Sequence, residues 1–380
     1  MEETKVLTEE ERKKRREERR KRKKYRLLIL LLLMFGTGVM LATSTYAWFT
    51  SNKTVSVNTI SAQVEAKGGI QISTDGTKWK SIISTTDITN AYQTYSASAN
   101  QMPTILEPVS TIGVPDTNGK LPMYYGTVVT SNSAQNNGEY ILTAEQVEDK
   151  DDSKRKNPDG TLKDGETEGK FIAFDLFFKV EKDTQIYLTP TSGIRFDTTD
   201  TGIKNASRVA FVELGNKPDG TALSDIQALN AGTSAPTHIW ELNYDAHTST
   251  GLANARDVYG GTSGTAYTKA IAGEIVPYSG IKAAITTTPD ILLGKANKTD
   301  FADYFEDVNI AYKTVEQDDA YDSYLKIFSL TKGISKVRVY VWIEGQDIDC
   351  ENNASNGKIK FDLQITTEVP EGKTIIDPAA

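Results

Sequence analysis

Between Ile343 and Lys358 the chain gathers Glu344, Asp347, Asp349, Cys350 and Glu351 within eight residues. Carboxylate oxygens at that density are hard ligands of the kind Ca2+ takes, although their spacing matches no fixed calcium motif. Glu344, Asp347, Asp349 and Glu351 therefore stand as a candidate cation group, with a plain solvated loop as the competing reading. Cys350, the single cysteine, would need a histidine partner to act as a nucleophile, and the acids on either side disfavour its thiolate. A packed thiol is the simpler role. The two histidines, His238 and His247, are nine apart with Trp240, Glu241 and Asp245 between them. This is not the HExxH spacing of a zinc protease, and no third ligand is evident. Asn157, Asp159, Gly160 and Glu166 fall on positions three, five, six and twelve of an EF-hand loop, but the first position would be Arg155, which cannot ligate a cation. A turn built on Pro158-Asp159-Gly160 accounts for them. Asn52, Asn205, Asn297 and Asn353 begin Asn-x-Ser/Thr triplets, which matter only in a glycosylating pathway. The chain thus reads as non-enzymatic, with no required cofactor and Ca2+ as the one ion worth testing.

Strands must carry these groups. Val337, Val339, Val341 and Ile343 alternate with Arg338, Tyr340 and Trp342, and Ile359, Phe361, Leu363 and Ile365 alternate with Lys360, Asp362 and Gln364. Two strands with one apolar face each suggest an antiparallel hairpin, with the acidic segment as its long connection. Phe171–Leu188 is the most apolar part of the chain after the N-terminal region, and its FIAFDLFFKV run is apolar on both faces, as in the middle of a packed sheet. Strands are also expected at Met123–Thr130, Tyr140–Val147, Val209–Leu214 and His238–Tyr244. Short helices are expected at Ser224–Leu229, Phe301–Tyr312 and Ala320–Phe328. Gly69–Thr74 and Lys78–Ile83, joined through Asp75-Gly76, carry a hairpin signal. In Val55–Ala66 the apolar positions run Val55, Val57, then Ile60, Ala62, Val64, so the period slips by one at Thr59/Ile60 as a β-bulge would make it.

The N-terminal region differs in kind. Residues 1–26 carry 13 Lys/Arg and 7 Glu, net +6, and Thr8 to Arg26 has the capping and acid-first i,i+4 spacing of one helix. Leu27 to Ala47 is uncharged over 21 residues, and about 20 apolar residues suffice to span a bilayer. Subtracting the basic flank from the chain's 43 basic and 51 acidic residues leaves 30 and 44, net −14 from Trp48 onward. A basic flank stays cytoplasmic, so the acidic remainder should be exported. An acidic exported chain is a poor nucleic-acid partner. Thr45 and Ala47 place small residues three and one before the bond to Trp48, which reads as a peptidase site, with a permanent anchor as the alternative.

The run Thr45 to Thr50, TYAWFT, followed by a polar strand-forming segment, resembles the signal and mature N-terminus of the TasA and camelysin group. Those are secreted Gram-positive proteins matured by a dedicated signal peptidase related to SipW. Ser44, Thr45, Tyr46, Ala47, Trp48 and Phe49 carry this likeness, over about 25 residues. The central FIAFDLFFKV run and the C-terminal WIEGQDIDC with KIKFDLQ are similar, less specifically, to clostridial proteins of this signal type. The resemblance implies export, cleavage after Ala47, and assembly with copies of itself. Some camelysin-like relatives are classed as metalloproteases.

The expected organisation is a basic cytoplasmic segment (1–26), a signal or transmembrane segment (27–47), and an exported all-β domain (48–380). That domain would be an antiparallel jelly-roll-like β-sandwich with long loop elaborations, and 190–300 an insertion or small subdomain. The expected function is a secreted or cell-surface structural subunit of an extracellular matrix or biofilm fibre. Freed by cleavage, Val55, Val57, Ile60, Ala62 and Val64 would lend a strand to a neighbouring subunit. Its partners would be the signal peptidase, copies of itself and, during export, the membrane. The alternatives are a membrane-anchored adhesion module and a metalloprotease.

Overall fold

The computed structural model describes residues 55–62, 70–147, 149, 157, 161–164, 169–196, 202–249, 251, 279–293, 296, 298, 300–308, 310–317, 320–350 and 358–378. The chain divides into two compact units, Met1–Tyr46 and Ala47–Ala380, and all described residues belong to the second. The expected basic helix, the apolar span, the cleavage residues Thr45, Tyr46, Ala47 and Trp48, and also Val64 and Glu351, lie outside the described residues. So does most of the charged segment 148–170. Among the described residues no helix is long and apolar enough to cross a membrane.

The fold is all-β. Its strands are β1 (Val55–Ala62), β2 (Gln71–Ser73), β3 (Asn100–Gln101), β4 (Ile105–Leu106), β5 (Met123–Thr130), β6 (Tyr140–Val147), β7 (Ile172–Val180), β8 (Thr184–Leu188), β9 (Gly193–Phe196) and β10 (Ser207–Lys217). They continue as β11 (Thr237–Leu242), β12 (Ser279–Ile281), β13 (Ile291–Leu292), β14 (Phe305–Asp307), β15 (Tyr312–Thr314), β16 (Tyr324–Leu330), β17 (Gly333–Ile343), β18 (Lys358–Leu363), β19 (Ile365–Thr366) and β20 (Ile375–Ile376). Two short helices, α1 (Thr85–Thr89) and α2 (Leu223–Gln227), join them. Ser84 caps α1 reciprocally with Asp87, satisfying end N–H groups that would otherwise have no partner.

A seven-stranded sheet, ordered β15-β11-β10-β17-β7-β2 with β3 beside β7, forms the centre. Alternation assigns its two faces. Ile172, Phe174, Leu176 and Phe178 of β7, Val209 and Phe211 of β10, and Val337, Val339 and Val341 of β17 join the main core. That core also takes Ile186, Leu188, Leu325 and Leu330 from the sheet β19-β8-β16-β20, and Leu106, Ile194, Phe361 and Leu363 from the sheet β4-β1-β18-β9. The opposite face contributes Ala173, Ala210, Val212, Tyr340 and Trp342 to a second core completed by Val109, Leu121 and Met123. A third cluster, with Tyr124, Leu142, Ile281, Ile291 and Phe305, belongs to β5, β6 and β12 to β14. The central sheet is therefore covered on both sides, which is why β7 and β17 are buried along both faces.

Several expectations are corrected. Phe301–Tyr312 and Ala320–Phe328 are not helices: Phe305–Asp307 pairs with Ser279–Ile281, and Tyr324–Leu330 pairs with β8 and β20. Their aromatic spacing mimics a helical stripe, but tertiary pairing decides the backbone. The C-terminal hairpin does not form, because β17 lies between β10 and β7 whereas β18 lies between β1 and β9 in another sheet. Arg338, Tyr340 and Trp342 do not face solvent but are buried. The sheets are not purely antiparallel either, since β1–β18, β11–β15 and β16–β20 are parallel pairs. The Asp75-Gly76 hairpin survives only as a bridge between Ile72 and Lys80, with Asp75 accepting from the Thr77 and Lys78 amides.

Candidate functional site

The first candidate is the seat of β1. This strand lies between β4 and β18, parallel to β18 from Ser56↔Lys358 to Ala62↔Leu363 and antiparallel to β4 at Val55↔Leu106 and Ser56↔Ile105. The register with β18 shifts between Val57 and Thr59, beside the point where the apolar period slips. Val55, Val57, Ile60 and Ala62 are thus all brought into one strand of a sheet whose other members bury Leu106, Phe361, Leu363 and Ile194. A parallel pair needs a long crossover when both strands come from nearby sequence; here its members lie at opposite ends of the chain.

The β4 flank of this seat leads to a buried polar hub. Three residues after β4, Val109 donates to Ile343 O at 2.9 Å and accepts from Gly345 N at 2.9 Å, while Glu344 N donates to Ala206 O at 2.8 Å. These bonds hold the segment Glu344–Cys350 against the end of the central sheet, and every residue in it is buried. Of the acids expected to form a cation group, Glu344, Asp347 and Asp349 accept from protein donors. Glu344 accepts from Trp342 Nε1 at 3.0 Å and from the Gln346 amide at 3.0 Å. Asp347 accepts from Arg208 Nη2, and from the Asp349 amide at 2.8 Å. Asp349 takes His247 Nδ1 at 2.7 Å and the Thr248 amide at 2.8 Å. Among the described residues no group of three His, Cys, Asp or Glu is arranged to hold a metal ion.

Arg208 is fully buried and sits directly opposite Glu241 in the β10–β11 ladder, donating to its Oε1 at 2.6 Å and to Asn205 O at 2.9 Å. Glu241 Oε2 and His247 Nε2 are buried without a hydrogen-bond partner. Burial pushes the Glu241 carboxyl up to about 7, with Arg208 pulling against it and Asp347 adding to it. Burial likewise pushes Glu344 up to about 7 against its hydrogen bonds. For His247 burial favours the neutral ring, but the Asp349 bond and charge outweigh it and the pKa is raised. Four carboxyls, one guanidinium and one imidazole thus share one buried site.

A second buried group lies on the same face. Asp175 is directly opposite Arg338 in the β7–β17 ladder and accepts its Nε at 2.6 Å and Nη2 at 3.2 Å, with Lys336 Nζ at 3.6 Å and the Ala99 amide at 3.2 Å. Burial alone would raise the Asp175 pKa, but Arg338 and Lys336 hold it below the usual range. Lys336 also donates to Tyr95 Oη at 2.7 Å, Gln227 O at 2.9 Å and Leu229 O at 3.2 Å. Three acceptors for three protons make it an ammonium anchor, not a nucleophile.

The histidines do not share a site. His238 has Tyr312 Oη at 2.8 Å on Nδ1 and Glu213 at 2.7 Å on Nε2, and its ring stacks on Phe328, whereas His247 belongs to the acid cluster. Cys350 forms no disulfide and is buried in the main core. Sequence reasoning missed Asp175, Arg208 and Lys336. The available signal was a lone charge inside an otherwise apolar strand, which has to find a partner of opposite sign on the neighbouring strand.

Comparison with protein-family models, with curated proteins and with solved structures finds no match to this chain.

Proposed function

We propose that this chain is an exported structural subunit of a cell-surface or extracellular fibre. It is matured by a signal peptidase at Ala47 and assembles with copies of itself by strand addition. The observation that carries the reading is the seat of β1: the first strand of the exported part lies between β4 and β18 and pairs along its length with the C-terminal β18. A terminal strand in such a slot can be withdrawn and replaced by the same strand of another copy without changing a single backbone hydrogen bond, so the exchange is close to isoenergetic locally. Its entropy cost falls on association alone, and multivalency along a fibre offsets that cost. The two-faced central sheet with flanking sheets supports a jelly-roll-like sandwich as the finer description. The likeness of TYAWFT to the TasA and camelysin group, and the lesser likeness of KIKFDLQ to clostridial proteins of this signal type, support export and self-assembly, and so does the acidic charge beyond residue 47. An enzymatic role gains nothing from the geometry, since each histidine is held by a separate set of partners.

The test compares purified chain starting at Trp48 with chain starting at Lys67 by negative-stain electron microscopy. The proposal expects filaments from the first and none from the second, and restoration when a peptide covering residues 48–66 links to the shorter chain by fusion at its C-terminus. Equal filament formation by both would overturn it.

A further inference from the structure

The seat of β1 is not uniform along its length. Val55 and Ser56 pair with Leu106 and Ile105 of β4 on one edge, while Ser56 and Val57 pair with Lys358 and Ile359 of β18 on the other. From Thr59 to Ala62 the strand follows β18 from Lys360 to Leu363, and among the described residues no strand pairs with its other edge. The two halves meet at the register shift, where Asn58 is passed over and the ladder is interrupted. Helix α1 also approaches β1, but its backbone groups bond within the helix and offer no ladder to a strand.

β4 is anchored on both sides. Before it, Gln101 pairs with Ala173 in the β3–β7 ladder and donates from Nε2 to Phe171 O at 2.6 Å. After it, Glu107 N donates to Lys170 O at 3.0 Å, the Lys170 ammonium pairs with the Glu107 carboxylate, and Val109 is bonded to Ile343 and Gly345. Residues 102–106 therefore form a short strap tied to the start of β7 and the end of β17. Leu106 fixes it further by lying in the main core, whereas Ile105 is exposed.

A strand paired on one edge opens by breaking one ladder, and a strand paired on both must break two. Exchange of one copy's β1 for another's has to begin where the resident strand opens first, which is the part with fewer ladder bonds. The strap closes the Val55 end of the seat, so the Ala62 end is the one that opens. We propose that β4 is a retaining strap, and that an incoming β1 enters the seat from the Ala62 end and displaces the resident strand toward Val55. The strap gives exchange a direction and slows the loss of a fully seated strand. This deepens the strand-addition reading and rests on it.

The test uses unassembled chain beginning at Trp48 and three fluorescent peptides, residues 48–66, 48–58 and 57–66, with association and dissociation followed by anisotropy. The two short peptides can make nearly the same number of register pairs, the first with β4 and β18 and the second with β18 alone, so access separates their rates. Peptide 57–66 should associate at least about tenfold faster than 48–58, the factor that one or two ladder bonds supply. Ser56→Cys with Ile105→Cys, register partners on β1 and β4, closes the strap by a disulfide in a Cys350→Ser chain. On the oxidised chain 57–66 should associate at an unchanged rate, and 48–66 should dissociate as fast as 57–66 because its first half finds no place. Equal or faster association of 48–58, no binding of 57–66 where 48–66 binds, or loss of 57–66 binding on oxidation would overturn the strap and leave strand addition standing. Failure of 48–66 to bind the parent chain would remove strand addition, and the strap with it.

Discussion

Replacing Asp175 by Asn removes one charge from the centre of the molecule and changes almost nothing in shape. In the native chain that carboxylate is the shared partner of two cations, Arg338 at 2.6 and 3.2 Å and Lys336 at 3.6 Å. All three side chains are nearly sealed from water, at 0 %, 6 % and 4 % exposure. The substitution leaves Lys336 and Arg338 facing a neutral amide, with Asp149, 3.7 Å from Arg338 Nη1, as the remaining carboxylate, and breaking a buried pair from one side costs about 3–5 kcal/mol. At about 2 °C per kcal/mol for a chain of this size, the melting temperature should fall by roughly 6–10 °C. The assay is thermal or urea unfolding of Asp175→Asn, Arg338→Met and the double variant. Because a methionine fits beside an uncharged amide, the double variant should recover part of the loss, with a coupling energy of about 1–3 kcal/mol. A change below about 1 kcal/mol in Asp175→Asn, or additive effects in the double variant, would refute the buried network as the anchor of the second face.

Four further outcomes follow from the same structure. Glu241 and Glu344 have folded pKa values near 7 against an ordinary 4.5, so the folded state holds their protons more tightly and stability is lost as pH rises from about 4.5 to 7. His247, raised above 6.5, acts in the same direction, adding stability that is present below that value and lost as pH passes through its folded value. Unfolding free energies should therefore be lower at pH 8 than at pH 5.5, by at most about 2 kcal/mol for each carboxyl, and Glu344→Gln should flatten the profile. Gly333 adopts φ 121° at the start of β17, and a Cβ there would lie 2.3 Å from Lys217 O, so Gly333→Ala should cost about 2 kcal/mol or more, read by the same melts. Lys298→Ala, which removes an ion pair between exposed side chains, should leave the melting temperature unchanged. His238→Ala and His247→Ala should leave any proteolytic background of a purified sample unaltered, measured with a casein substrate; loss of activity in both would revive the zinc-protease reading.

Much of the strand order was legible because local signals were strong. Met123–Thr130 and Tyr140–Val147 stand between Pro and Gly stops and form at those bounds, and the two-faced apolar run at Phe171 becomes the fully buried β7. The slip in apolar period near Thr59 marks the register shift of β1. What alternation could not convey is what covers a polar face. Arg338, Tyr340 and Trp342 look like the wet side of a hairpin, yet a second layer built from Val109, Leu121 and Met123 covers them, and Asp175 neutralises Arg338 from the neighbouring strand. Glu344 to Cys350 looked like an exposed loop for the same reason: its acids are matched by Arg208, some 140 residues earlier, and by His247. Pairings over such separations leave no local trace. The strap beside β1 was likewise invisible, since Gln101, Glu107 and Val109 reach their anchors only through the fold.

The central claim is that β1 seated between β4 and β18 comes from a neighbouring molecule in the fibre. Ser61 and Asp362 are register partners across the β1–β18 pair, so cysteines at these two positions, in a chain with Cys350→Ser, can form a disulfide wherever the strands meet. Chain beginning at Trp48 is assembled, oxidised and run on a non-reducing gel. Strand donation predicts a ladder of covalent oligomers from the double variant and monomer from either single cysteine. Assembled fibres that yield only an internally bonded monomer would show that each molecule keeps its own β1, and would contradict the account.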